Sequence, residues 1–164
     1  MRARTIFFLP ALIAVLSAPL AAAGPLEDAN RGLSLVDSGR YDEGIRLLTG
    51  AIDSGKLSPS CKAGAYHARA NGWVGKKEYR KAAKDYSLAI NLDPGRADFY
   101  FNRAVFRFNT GQYRQAVDDL SKTILKRPKD AKAYSYRSRA YKKLGDAKRA
   151  AADAARAKKL GGSK

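Results

Sequence analysis

The 164-residue chain has one cysteine, Cys61, and one histidine, His67. A lone cysteine excludes an intramolecular disulfide, so the fold must be held by its core. Cys61 and His67 stand six residues apart with no second ligand pair, which is not the four-ligand spacing of a structural zinc site. The Gly-x4-Gly-Lys-Ser/Thr phosphate loop is missing. The stretch "GWVGKKEY" at 72–79 has glycines and lysines without that spacing, and its register puts it at a helix end. Neither Gly-x-Ser-x-Gly nor His-Glu-x-x-His occurs. The adjacent acids Asp118 and Asp119 fall in a helical segment, where neighbouring residues point in different directions and cannot share acid–base work. These gaps point to a non-enzyme, with no metal or cofactor expected.

Acidic residues are scarce as well: 15 against 32 Lys and Arg, a formal charge of +17. The imbalance is not uniform. Residues 24–62 hold five basic and six acidic side chains, whereas 63–164 hold 25 and nine. The last stretch, 131–164, has eleven basic against two acidic. Such asymmetry predicts an acidic partner on the C-terminal half.

The chain opens "MRARTIFFLPALIAVLSAPLAAAG". Arg2 and Arg4 precede an apolar run from Ile6 to Leu20, and Ala21-Ala22-Ala23 supplies small residues for a peptidase. That order predicts a cleaved signal peptide over 1–23 and an exported protein in a bacterial periplasm. Pro10 and Pro19 interrupt the run and argue against a spanning helix, which needs ~20 apolar residues. Removing Arg2 and Arg4 leaves +15 on residues 24–164.

What the chain has in abundance is itself. "KEYRKAAKDYSLAINLDPGR" at 77–96 is echoed 34 residues later by "GQYRQAVDDLSKTILKRPKD" at 111–130. Tyr79/Tyr113, Arg80/Arg114, Ala82/Ala116, Asp85/Asp119, Ser87/Ser121, Ile90/Ile124 and Pro94/Pro128 recur at that shift. Extending the register gives four units, at about 25–62, 63–96, 97–130 and 131–164. The first carries four extra residues in "KLSPSCK". A period of this length signals a stack of supersecondary units.

Each unit reads as two helices. In the third, Tyr100, Arg103, Ala104 and Arg107 share one face of the first helix. Gly111 makes the turn in a left-handed conformation, and the second helix places Tyr113, Ala116, Val117, Leu120 and Ile124 on one stripe before Pro128. Small residues recur where the helices pack (Gly32, Ala70, Ala104, Ser138, then Gly44, Ala82, Ala116, Ala150), alternating with bulky Leu48, Tyr86 and Leu120. Mid-helix Gly44 is expected to cost ~1 kcal/mol and to make the first unit the weak end.

This order of small and bulky positions resembles the tetratricopeptide repeat over the whole of 24–164. The resemblance implies an all-α superhelical solenoid of antiparallel helix pairs, with the first helices lining a concave groove that binds extended peptides. Some members grip a terminal carboxylate with Lys and Asn, then Asn, then Lys and Arg on three successive first helices. The matching positions here are His67 and Asn71, then Asn102, then Lys132 and Tyr136. His67 and Tyr136 depart from that pattern. A looser groove adds Arg139 one turn on, with Phe101 and Phe108 as an apolar floor and the other rings of 99–108 as packing. The reading is a scaffold or adaptor that captures an acidic or C-terminal peptide segment. Asn71 and Asn102 would hold backbone, and Lys132 and Arg139 would pair with carboxylates. The alternative is binding of an anionic polymer or membrane surface through Lys142, Lys143, Lys148, Arg149, Lys158 and Lys159. Base-reading motifs are absent, so sequence-specific nucleic acid is not an expected partner. An open-ended stack also leaves room for self-association.

Overall fold

The computed structural model describes residues 24–162, so the expected signal peptide lies outside the described residues. Eight helices run in order among them: α1 (Pro25–Asp37), α2 (Tyr41–Asp53), α3 (Pro59–Gly75), α4 (Tyr79–Leu92), α5 (Ala97–Asn109), α6 (Tyr113–Lys126), α7 (Ala131–Lys143) and α8 (Ala147–Gly161). They pair as α1/α2, α3/α4, α5/α6 and α7/α8, and each pair packs on the next. This is the expected all-α solenoid.

The turn inside each pair has one design. Gly39, Gly111 and Gly145 take φ of 82°, 79° and 80°. In the third unit the amide of Gly111 donates to Phe108 O (3.2 Å) and that of Gln112 to Arg107 O (2.8 Å), the paired bonds that close a helix on a left-handed residue. In the second unit Lys77 holds this place at φ 62°, a conformation that costs a side-chain-bearing residue energy. The four extra residues between the first and second units are not a loop: Pro59 to Lys62 form an added first turn of α3, with Pro59 at its start and Ser58 Oγ accepting from the Cys61 amide at 3.2 Å.

The small residues do what their register suggests. Ala70, Ala82, Ala104, Ala116 and Ala150 are fully or almost fully buried, and Ser138 Oγ donates to the Ala150 carbonyl at 2.7 Å. Core clusters cross unit boundaries, as where Ala104 of α5 and Leu120 of α6 meet Ala133 of α7, so no unit buries its apolar face alone. Gly44 needs a different account from its helix propensity. A Cβ there would lie 2.8 Å from the Gly32 carbonyl oxygen and 2.7 Å from Val36 Cγ2. Gly32 and Gly44 let α1 and α2 approach closely, and Gly44 is a packing requirement.

A polar ladder runs through the stack. Arg69, Arg103 and Arg137, on successive first helices, each hold the second-helix aspartate of their own unit: Asp85 (2.7 and 3.0 Å), Asp119 (2.9 and 2.8 Å) and Asp153 (2.7 and 2.9 Å). The remaining guanidinium nitrogen of each donates to a hydroxyl of the preceding unit: Thr49 (3.0 Å), Ser87 (3.3 Å) and Ser121 (3.0 Å). Each arginine therefore ties a unit internally and to its predecessor. Asp119 also accepts from Arg107 at 2.6 Å. Burial lowers the Arg107 pKa, with Asp119 opposing and neighbouring Arg103 reinforcing the shift. In the first unit Arg31 occupies the arginine position, but Leu47 stands where the aspartate would be.

Candidate peptide groove and basic surface

The first helices of consecutive units meet in the middle of the stack through His67. Its ring stacks on Phe99 (4.7 Å between centroids, 25°) and tilts against Tyr86 (5.9 Å). The Asn102 amide donates to His67 Nε2 at 2.8 Å. Burial pulls the His67 pKa down to about 4, with Asp98 and Asp37 opposing and Arg96 reinforcing. The ring is therefore neutral at pH 7 and serves as an acceptor, so this position cannot supply a clamp cation. Asn71 is also engaged, its Oδ1 accepting from Tyr86 Oη at 2.6 Å. Each asparagine keeps one half of its amide for another partner: Asn71 the NH2 group, Asn102 the carbonyl.

At the other end, α7 carries Lys132, Tyr136, Arg139 and Lys143 at steps of three and four, one stripe of a helix. Lys132, Arg139 and Lys143 are exposed. The Arg139 guanidinium lies 4.8 Å from the Phe108 ring centroid and 4.9 Å from that of Tyr136. It is held against aromatic faces and, among the described residues, has no carboxylate partner. Tyr136 meets Phe101 edge-on at 5.6 Å and Phe108 at 6.1 Å. Phe101 is half-buried beside Leu120 and Ala133. Phe108 is buried, which removes it from the expected groove floor and makes it the packing surface under Arg139. Of the sequence candidates, the structure joins His67 with Asn102, and Phe101 with Tyr136 and Arg139. Asn71 belongs with Tyr86, and Lys132 stands alone at the start of the α7 stripe.

The candidate basic surface is less uniform. Lys142 and Lys143 are exposed at the end of α7, and Lys148, Lys158 and Lys159 are exposed on α8. Arg149 is already engaged, paired with Asp146 through its side chain and lying 4.6 Å from the Tyr141 ring centroid. A cavity of 820 Å³ beside it mixes Arg114, Lys148 and Arg149 with Asp118 and Asp146. That alternation does not make a site for one sign of charge.

Sequence reasoning missed a second cavity, of 410 Å³, between α1, α3 and the start of α5, with Leu26, Ala29, Leu33, Cys61, His67 and Phe99 in its lining. The signal available for it was Leu26 and Leu33, two turns apart on α1 at the edge of the buried stripe of Ala29, Gly32 and Val36.

Comparison with known proteins fits this architecture. A family model described as tetratricopeptide repeat matches residues 107–163. The Arabidopsis OM64 TPR domain is 30% identical, with 65% of this chain covering 88% of that one at a TM-score of 0.61. The second TPR of Spaghetti (RPAP3), solved bound to the HSP90 peptide SRMEEVD, is 28% identical over 60% of this chain and 85% of its own, with a TM-score of 0.56. MamA shares the fold at 22% identity and a TM-score of 0.76, over 84% and 78% of the two chains. Mouse serine/threonine-protein phosphatase 5 is 36% identical over 77 residues, 47% of this chain, yet the match spans only 15% of that protein's length.

Proposed function

Because this chain belongs to the tetratricopeptide-repeat family, we propose that it is a non-catalytic interaction scaffold that captures an acidic peptide segment in its concave groove. The observation that carries this reading is Arg139. It is exposed, held over Phe108 and Tyr136 with no carboxylate partner among the described residues, and on one helical stripe with Lys132. A guanidinium already held in place loses little freedom on pairing with a carboxylate, and its planar fork donates two parallel N–H bonds to the carboxylate oxygens. The NH2 of Asn71 and the carbonyl of Asn102 can hydrogen-bond an extended backbone between these cations and the first unit. The RPAP3 domain bound to SRMEEVD supports the acidic-peptide class.

The test is fluorescence anisotropy with an acidic C-terminal peptide such as SRMEEVD and its Gln/Asn counterpart. Binding of the acidic peptide alone, weakened at least tenfold in Lys132→Ala/Arg139→Ala, supports the groove. Equal binding of both peptides counts against it. The competing reading, an anionic polymer or membrane surface on the basic C-terminal half, calls for affinity that falls steeply with salt and follows Lys142, Lys143, Lys148 and Lys158 instead. Export to the periplasm is proposed alongside, on Arg2, Arg4 and the apolar run before Ala23. Amino-terminal sequencing of the protein recovered from a periplasmic fraction tests it, and a chain that keeps its first residues in the cytoplasm contradicts it.

A further inference from the structure

The 410 Å³ cavity lies at the first-unit end of the same concave face, away from the α7 cations. Its volume falls within the ~300–1,000 Å³ of ordinary ligand pockets. Leu26 and Leu33 line it and are 53% and 41% exposed, while Phe99 and Ala29 close it from below. One exposed leucine needs no explanation, but two on one helix lining one cavity make an apolar patch facing water. The added first turn of α3 builds part of the wall at Cys61, and no other first helix has that turn. The concave face thus presents exposed leucines at one end, rimmed by the Arg96–Asp98 pair, and the exposed cations Lys132 and Arg139 at the other.

We propose that this cavity seats an apolar side chain of the same peptide whose carboxylates meet Lys132 and Arg139. The ligand class is then an extended peptide with an apolar anchor set about six residues from an acidic group. The spacing follows from geometry. The cavity centres on α3 and the cations sit on α7, two first-helix steps away. Packed helices stand ~10 Å apart, so the gap is ~20 Å, which about six extended residues span. The charge pattern favours this occupant: Arg96, the one cation in the cavity lining among the described residues, is bonded to Asp98 at 2.8 and 3.1 Å and so is already paired with a carboxylate. The inference rests on the acidic-peptide reading and adds a second requirement to it.

Cys61 provides a direct reporter, because it is the only thiol in the chain and lines the cavity. Three peptides would be compared: an acidic C-terminal segment alone, the same with one leucine about six residues upstream, and the same with the leucine moved next to the acids. Anisotropy gives affinity, and alkylation of Cys61 by iodoacetamide gives cavity occupancy. The expected result is that the peptide with the distant leucine binds at least ~10-fold tighter than the leucine-free one and slows alkylation, which the other two do not. Leu26→Ser/Leu33→Ser should remove both effects, and its thermal melt confirms folding. Equal affinity of all three peptides with unchanged alkylation overturns the cavity proposal and leaves the groove reading standing. Failure of even the leucine-free peptide to bind overturns both. Sedimentation closes the remaining route: a wild-type dimer that Leu33→Asp converts to monomer would assign the cavity to a second copy and overturn the proposal.

Discussion

Asp119 is the most heavily used carboxylate of the ladder, and replacing it by asparagine tests whether the ladder holds the units together. Its side chain is 1% exposed and accepts from Arg103 at 2.9 and 2.8 Å and from Arg107 at 2.6 Å. Asparagine keeps the shape but removes the charge and turns one acceptor into a donor facing two cations. Removing one partner of a buried ion pair costs ~3–5 kcal/mol, because the other charge is left uncompensated. Here two arginines are left, so Asp119→Asn should sit at the upper end of that range. At ~3 °C per kcal/mol for a domain of this size, the melting temperature should fall by about 10–15 °C. Circular dichroism during heating and urea titration reads the change. By contrast, Arg69→Met/Asp85→Leu leaves no buried ion and should cost less than Asp85→Asn alone. If Asp119→Asn stays within ~1 kcal/mol of wild type, or the double replacement costs more than the single one, the account of the ladder fails.

Gly44→Ala sets two principles against each other: helix propensity gains ~1 kcal/mol, while overpacking against the Gly32 carbonyl costs ~1–3 kcal/mol. The expected outcome is a net destabilisation of ~1 kcal/mol in urea, and a stabilised variant would contradict the close approach of α1 and α2. Lys77→Gly should stabilise by ~0.5–1 kcal/mol by relieving the left-handed lysine, read as a raised urea midpoint at unchanged slope. His67 has a folded pKa of about 4, below its ordinary 6.5, so the unfolded chain takes up the proton first. Its contribution is therefore present above pH 6.5 and lost as pH falls towards 4, by about 2–3 kcal/mol. His67→Asn should flatten that part of the stability–pH curve, and identical curves for the two proteins would show that His67 is not the titrating group.

The fold was legible because its signal is repeated. Gly111 and its counterparts, the small residues at helix crossings and the stops at Pro94 and Pro128 each carry little alone. The 34-residue shift compares them three or four times. The ladder was half-legible: Asp85 and Asp119 stood out in the repeat, and Arg103 was placed on a helical face. What the spacing did not disclose is that an aspartate on the second helix is buried, since a charged residue in an amphipathic pattern reads as outward-facing until its partner is seen. Gly44 was read as a small packing position with a propensity cost, but how closely the helices approach there was not legible. Propensity is a property of one helix, whereas the space that leaves a Cβ on Gly44 only 2.8 Å from the Gly32 carbonyl oxygen is set by two. Among the groove residues, His67 and Asn71 matched by position but turn much of their hydrogen bonding inward, to Asn102 and Tyr86. The cavity under Leu26 and Leu33 escaped because it needs three helices to exist.

The ladder also bears on how selective the groove can be. A solenoid whose units touch through apolar faces alone can flex at each joint, and a flexible groove tolerates ligands of several lengths. Here each joint from the first unit to the fourth is crossed by an arginine bonded to both sides. Such bonds lose strength quickly as distances and angles change, so they resist bending where packing alone would yield. Arg69, Arg103 and Arg137 thus hold fixed the separation between the leucine cavity and Lys132 and Arg139. Under the proposed two-ended reading, that stiffness would make peptide length a requirement. The same reasoning separates two roles for the chain's arginines: those inside the ladder brace the joints, while Arg139, braced on Phe108 and Tyr136 with no carboxylate partner among the described residues, is the one the proposed peptide would meet.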